Sequence, residues 1–152
     1  MSLCNLLPNQ KPKVKKWVMT GVELEDRLRA IGLTMPGRPW DKKYFFTNRE
    51  GWGEILYHLT FSSLLYKPDI RDCDYYAGKA WVTCSEKYDL NALLICIGDI
   101  PKGRHAFNIL FFGDPDAPGD EGFLLFEPND GFPGSGAFEI GDDGYIPDQV
   151  FG

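Results

Sequence analysis

The sequence predicts an α+β fold with N-terminal helices packed on a C-terminal antiparallel sheet. Apolar residues recur near helical spacing in the first half, and β-branched and aromatic runs bounded by turn residues fill the second. The two patterns are segregated along the chain rather than interleaved, which separates α+β from a parallel α/β sheet. At 152 residues, 43% apolar and 25% charged, the chain suits one globular core that needs no disulfide or metal staple. The expected organisation is an N-terminal arm, residues 1–16, followed by a single domain, residues 17–152.

The arm carries two prolines and no apolar period. From Gly21, the stripe Val22, Leu24, Leu28, Ile31 and Leu33 predicts a helix ended by Gly32 and Pro36, with Glu23, Glu25 and Asp26 near its positive N-terminal end. Pro36 to Pro39 is a turn, and Trp40 to Phe46 is a short extended piece. Thr47, Asn48 and Glu50 signal a helix start, and Trp52, Ile55, Leu56, Leu59, Ser62 and Ser63 share a face beyond it. His58 in that segment is expected to be an ordinary satisfied or surface histidine. Pro68 closes the segment, and a further helix is expected from a cap at Asp69 or Asp72 to about Trp81 or Val82. Strands are predicted at 92–98, 104–112 and 123–126, with the last two forming a hairpin around the acidic turn 114–122. One or two short strands follow, at 137–140 and 145–150.

Charge and cysteine usage narrow the function classes. With 16 basic against 22 acidic residues, the net charge is −6, which argues against nucleic acid or an anionic membrane as partner. The one basic cluster, Lys11 to Lys16, is expected to be a solvated tail segment. No apolar run is long enough to span a bilayer. Cys4, Cys73, Cys84 and Cys96 form no CxxC pair. With no secretory leader pattern at the N-terminus, free thiols in a reducing cytosol are expected. The acidic turn lacks the spacing of an EF-hand and is expected to be a solvated loop, and the glycine-rich 131–136 has no phosphate-loop pattern.

Candidate chemistry centres on Asp69-Ile-Arg-Asp-Cys-Asp-Tyr-Tyr-Ala77. Cys73 falls in the first turn of its helix, where free backbone N–H groups favour a thiolate and can donate to a developing oxyanion. Cys73, Ala77, Ala80, Trp81 and Cys84 share a face. Asp72 and Asp74 oppose ionisation unless Arg71, a metal or an imidazolium offsets them. His105 opens the strand His105-Ala-Phe-Asn-Ile-Leu-Phe-Phe112, with Phe107 and Ile109 on its face and Ala106 and Asn108 on the other. A strand-borne histidine is a rigid proton carrier. The neighbouring strand ends in Phe126-Glu127-Pro128-Asn129-Asp130, so Glu127 can orient the histidine, with Asn129 and Asp130 as alternatives.

Asp72-Cys73-Asp74-Tyr75-Tyr76-Ala77, then His105-Ala106-x-Asn108, then Glu127-Pro128, resembles the transglutaminase-like, papain-superfamily cysteine peptidases. The similarity is greatest to bacterial transglutaminase-like cysteine proteinases and the peptidase domain of some fungal agglutinins. Uncharacterised phage and bacterial proteins carry versions of the pattern. The resemblance covers Trp52 to the C-terminus. It implies a papain/transglutaminase-like fold with Cys73 as nucleophile, His105 as base and acid, and Glu127 as orienting residue. The implied activity is hydrolysis or acyl transfer on a peptide or protein amide through a thioester. In several relatives the acids flanking the cysteine bind calcium, which implies a calcium site at Asp72 and Asp74. The simpler expectation is that Asp72 caps the helix and no cofactor is required. Two departures stand out. No glutamine precedes the cysteine to form the oxyanion hole, leaving backbone N–H groups or Asn48, and the third residue is a glutamate where aspartate is common. A non-catalytic binding or structural module of the same fold, for example phage-associated, is the alternative.

Overall fold

The computed structural model describes residues 12–132 and 136–152, which leaves most of the arm and Cys4 outside the described residues. Segregated patterning has its expected outcome, an α+β fold. Strand β1 (Trp17–Thr20) leads into helix α1 (Gly21–Ala30), and β2 (Lys43–Phe46) leads into α2 (Arg49–Ile55). Helix α3 (Cys73–Tyr88) precedes β3 (Leu93–Ile100), β4 (Gly103–Phe112), β5 (Gly122–Glu127), β6 (Gly136–Phe138) and β7 (Ile146–Phe151). β1 and β2 form an antiparallel pair, and the other five strands form an antiparallel sheet in the order β6-β5-β4-β3-β7.

Side-chain caps set the early helices. Thr20 accepts from the N–H of Glu23 at 3.1 Å, and Asn48 accepts from the N–H of Gly51 at 2.8 Å. The stripe of α1 is narrower than expected: Leu24 and Leu28 are fully buried, whereas Val22 and Ile31 are largely exposed. The predicted helix through Ser63 stops being α-helical at Ile55, continuing as 3₁₀ turns at Leu56–Leu59 and Ser63–Leu65. Between those turns Phe61 bridges to Asn129, so tertiary pairing draws the chain out of the helix. His58 is exposed and stacks beside Tyr57.

Helix α3 runs well past Val82. Its buried positions Ala77, Ala80, Cys84 and Tyr88 continue at spacings of three and four, so packing holds the β-branched pair Val82–Thr83 in a helix. It ends at Asp89, in the left-handed conformation at φ 54°. The helix lies across β3 and β4. Asn108 fastens it there, donating from Nδ2 to the carbonyls of Ala77 (3.0 Å) and Leu94 (3.1 Å). Trp52 of α2 is likewise tied to β4, through Nε1 to the carbonyl of Phe111 at 2.9 Å.

Strands β4 and β5 pair with Asn108 opposite Phe126. Glu127, one residue further, therefore comes to the face of His105 and Phe107. After β6 the chain crosses from one edge of the sheet to the other, where β7 pairs with β3. That pairing shifts register between Ile97 and Gly98. At Gly98 a Cβ would lie 2.2 Å from the carbonyl oxygen of Ile146 and 2.7 Å from Cα of Pro147. Both are backbone atoms, so a side chain there must push the strand. Gly98→Ala is expected to destabilise the fold by about 1–3 kcal/mol, measured by urea unfolding. An unchanged midpoint would contradict this close approach.

Candidate active site

Three elements converge on one end of the sheet. Cys73 is the first residue of α3, His105 stands near the start of β4 and Glu127 ends β5. Cys73 is half-buried, whereas His105 is 6% and Glu127 1% exposed. The three residues singled out from the sequence are thus brought together, with the thiol as the accessible member.

Nε2 of His105 lies 2.7 Å from Oε2 of Glu127, leaving Nδ1 as the ring nitrogen for Cys73. Hydrogen bonding to this imidazole is the largest influence on the thiol and holds its pKa below the ordinary cysteine value. Burial opposes that effect, the backbone of Ala106 reinforces it, and the Asp72 charge opposes it. For His105, burial pulls the pKa down. Hydrogen bonds to Cys73 and Glu127, with their charges, outweigh it and raise the value to about 9. Both directions favour a thiolate–imidazolium pair near neutral pH. Burial pushes Cys84 the other way, up to about 12, and also raises Cys96. Among the described residues Cys73 is the one thiol whose pKa is drawn down.

Glu127 is held by more than His105. Its Oε1 accepts from the N–H of Asn129 at 3.1 Å, and its Oε2 also accepts from the hydroxyl of Tyr145 at 2.8 Å. The alternatives to Glu127 are occupied elsewhere. The side chain of Asn129 accepts from the N–H of Gly131 at 2.9 Å, and that of Asp130 from the N–H of Ser63 at 2.7 Å. They shape the loop beside the site rather than orient the imidazole. Aromatic rings enclose His105: Phe132 at 4.6 Å between centroids, Phe107 at 6.0 Å and Tyr145 at 6.1 Å. Tyr145 is buried and was not legible as a site residue, since nothing in its local sequence marks a partner 18 positions away.

Several expectations about the flanking residues are corrected. Asp69 does not cap α3; it has φ 61° inside the Lys67–Arg71 turn. Asp72 takes the N-cap position, but its carboxylate makes no capping bond. A hydrogen bond with the Asp74 carboxylate instead raises the pKa of Asp72. Asp74 Oδ1 accepts from the N–H of Tyr75 at 2.9 Å. Calcium takes six to eight oxygens. Among the described residues no group of three or more acidic, histidine or cysteine side chains is gathered to hold a metal, so a calcium ion at Asp72 and Asp74 would have to draw its remaining oxygens from backbone carbonyls and water. Arg71 donates from Nε to the carbonyl of Leu65 at 2.7 Å, bracing the loop. Asn48 is engaged at both ends of its amide, the oxygen capping α2 and the nitrogen donating to Asp114 at 3.4 Å. The acidic hairpin loop is salt-bridged, Asp120 to Arg49 and Glu121 to Arg27.

No family model and no curated protein matches the chain. Among solved structures, the chain is similar to one described as "PSL1a-E64 complex", with 19% identity and a TM-score of 0.57. The alignment covers 89% of this chain and 51% of that one, so the chain spans about half the neighbour's length. Likeness at that identity is a likeness of fold. No helix among the described residues is long and apolar enough to cross a membrane.

Since the Asp72 charge raises the thiol pKa, Asp72→Asn is expected to move the acid limb of Cys73 alkylation to lower pH, by about half a unit at low salt and less at high salt. Rates of iodoacetamide labelling against pH measure it. An unmoved limb would remove Asp72 from the electrostatics of the thiol.

Proposed function

We propose that the protein is a cysteine-dependent peptidase or amide hydrolase/acyl-transferase of the transglutaminase-like, papain-superfamily type. The observation that carries this reading is the half-exposed thiol of Cys73, its pKa drawn down by the imidazole of His105, which is itself bonded to buried Glu127. A sealed sulfur or a remote imidazole would have favoured the non-catalytic module. The fold neighbour adds support, because E64 in that complex is a cysteine-protease inhibitor.

In this reaction the Cys73 thiolate attacks the carbonyl carbon of a peptide or glutamine-type amide. Negative charge develops on the carbonyl oxygen. Because the Asp72 carboxylate leaves the helix start uncapped, the first-turn N–H groups of Cys73 and Asp74 are the donors for that oxygen. The His105 imidazolium gives its proton to the amide nitrogen as the C–N bond breaks, releasing an amine and leaving a thioester. Water then attacks the thioester while neutral His105 takes its proton. The thiolate departs, and the second product is a carboxylic acid. An amine in place of water gives acyl transfer by the same steps. Glu127 keeps Nε2 as the nitrogen facing away from the thiol and stabilises the imidazolium.

Cys73 should label with iodoacetamide at neutral pH far faster than Cys84. Hydrolysis of glutamine-containing peptides should rise with pH as the thiolate forms. It should fall as pH passes about 9, where His105 loses its proton. His105→Asn keeps a donor for Glu127 and should lower hydrolysis about 100-fold or more. If Cys73 labels no faster than Cys84 and the His105 variant changes nothing, the enzyme reading is lost.

A further inference from the structure

Tyr145 belongs to none of the three elements that deliver the thiol, the imidazole and the carboxylate. It lies at the end of the crossover from β6 to β7, immediately before Ile146. We propose that Tyr145 is a positioning residue of the site, its hydroxyl holding Glu127 Oε2 against the imidazole of His105. Its role is defined by the thiol-enzyme reading above, but the bond itself is a property of the fold.

The geometry leaves the hydroxyl one direction. The ring is 4% exposed and packs edge-on against Phe138 (centroids 4.8 Å), Phe107 (5.0 Å) and His105 (6.1 Å). Its backbone is fixed as well: the N–H donates to the carbonyl of Asp142, and the carbonyl accepts from Gly141. The hydroxyl therefore meets Oε2, the same oxygen that faces His105 Nε2. Two donors on one carboxylate oxygen, with Asn129 N–H on the other, leave Glu127 little freedom to rotate.

Gly98 explains how the tyrosine arrives. It pairs with His105 on one side and Pro147 on the other, and a Cβ there would strike the Ile146 carbonyl. The bare backbone lets the start of β7 close on β3 beside His105, which sets Tyr145 over the same face. The charged and titratable groups that reach this cluster are Cys73 from α3, Asp72 from the N-cap position before it, Glu127 from β5, and Asp143 from the crossover.

The chain has two histidines, and the other, His58, sits on the surface beside Tyr57. An NMR titration of the full chain therefore reads His105 separately. In Tyr145→Phe, which keeps the ring and loses the hydroxyl, His105 is expected to titrate about one unit lower than in the parent. Glu127→Gln should lower it further. The double variant should match Glu127→Gln alone, because Tyr145 acts through Glu127. An unchanged His105 titration in Tyr145→Phe, or a double variant equal to the sum of the singles, overturns the proposal. Should Tyr145→Phe fail to fold, Gly98→Ala displaces the same crossover with the hydroxyl intact, and it too must lower the His105 titration. Repeating the series in Cys73→Ala frees it from the thiol. A coupled shift there, with Cys73 of the parent labelling no faster than Cys84, keeps the positioning role and discards the enzyme.

Discussion

Glu127 is 1% exposed, and a carboxylate in that position loses hydration worth several kcal/mol, which only good partners offset. It has three: the imidazole of His105, the hydroxyl of Tyr145 and the N–H of Asn129. Each ties down a different part of the chain. His105 requires the β4–β5 register, Asn129 requires the turn after β5, and Tyr145 requires the crossover to run over the face rather than around the edge. Taking away the imidazole would leave the buried carboxylate without its opposite charge, at about 3–5 kcal/mol. The carboxylate thus organises its surroundings as much as it orients the histidine.

The same pairing sets the electrostatics of the thiol. A helix start favours ionisation of Cys73, but two aspartates beside it do not. The balance falls to His105, whose positive charge is sustained by Glu127 despite burial. Asp72 makes no capping bond to the helix, and its pKa is raised chiefly by the neighbouring Asp74 carboxylate. The imidazole thus outweighs the nearby Asp72 charge in setting the direction of the Cys73 pKa. Asn108 contributes from the opposite face. By holding the carbonyl of Ala77, one turn after Cys73, to the sheet, it fixes where the helix presents its first residue.

The departures from the sequence reading have physical causes. Trp17–Thr20 lacks a pattern of its own and becomes a strand because Lys43–Phe46 supplies the edge it pairs with. The segment after Ile55 has helical spacing, yet Phe61 pairs with Asn129 and the loop is strapped to Asp130. Helix α3 outlasts its β-branched pair because Cys84 and Tyr88 still find the core. Asn48 looked available as a donor, whereas its cap and Asp114 use both ends of the amide.

By itself the sequence determined what depends on near neighbours. The segregation of helical and strand periods, Cys73 in the first turn of a helix, His105 on a strand and Glu127 at the end of the next all follow from spacing and local propensity. Only the tertiary structure decided which of Glu127, Asn129 and Asp130 meets the histidine, that Asp72 leaves its helix uncapped, and that Tyr145 completes the cluster. The choice of Glu127 turns on the β4–β5 register, and the arrival of Tyr145 on a strand order in which β7 lies beside β3, far from β6, and on one glycine that lets it close in. A two-residue period specifies which face a side chain takes. It carries no information about which strand lies next to it.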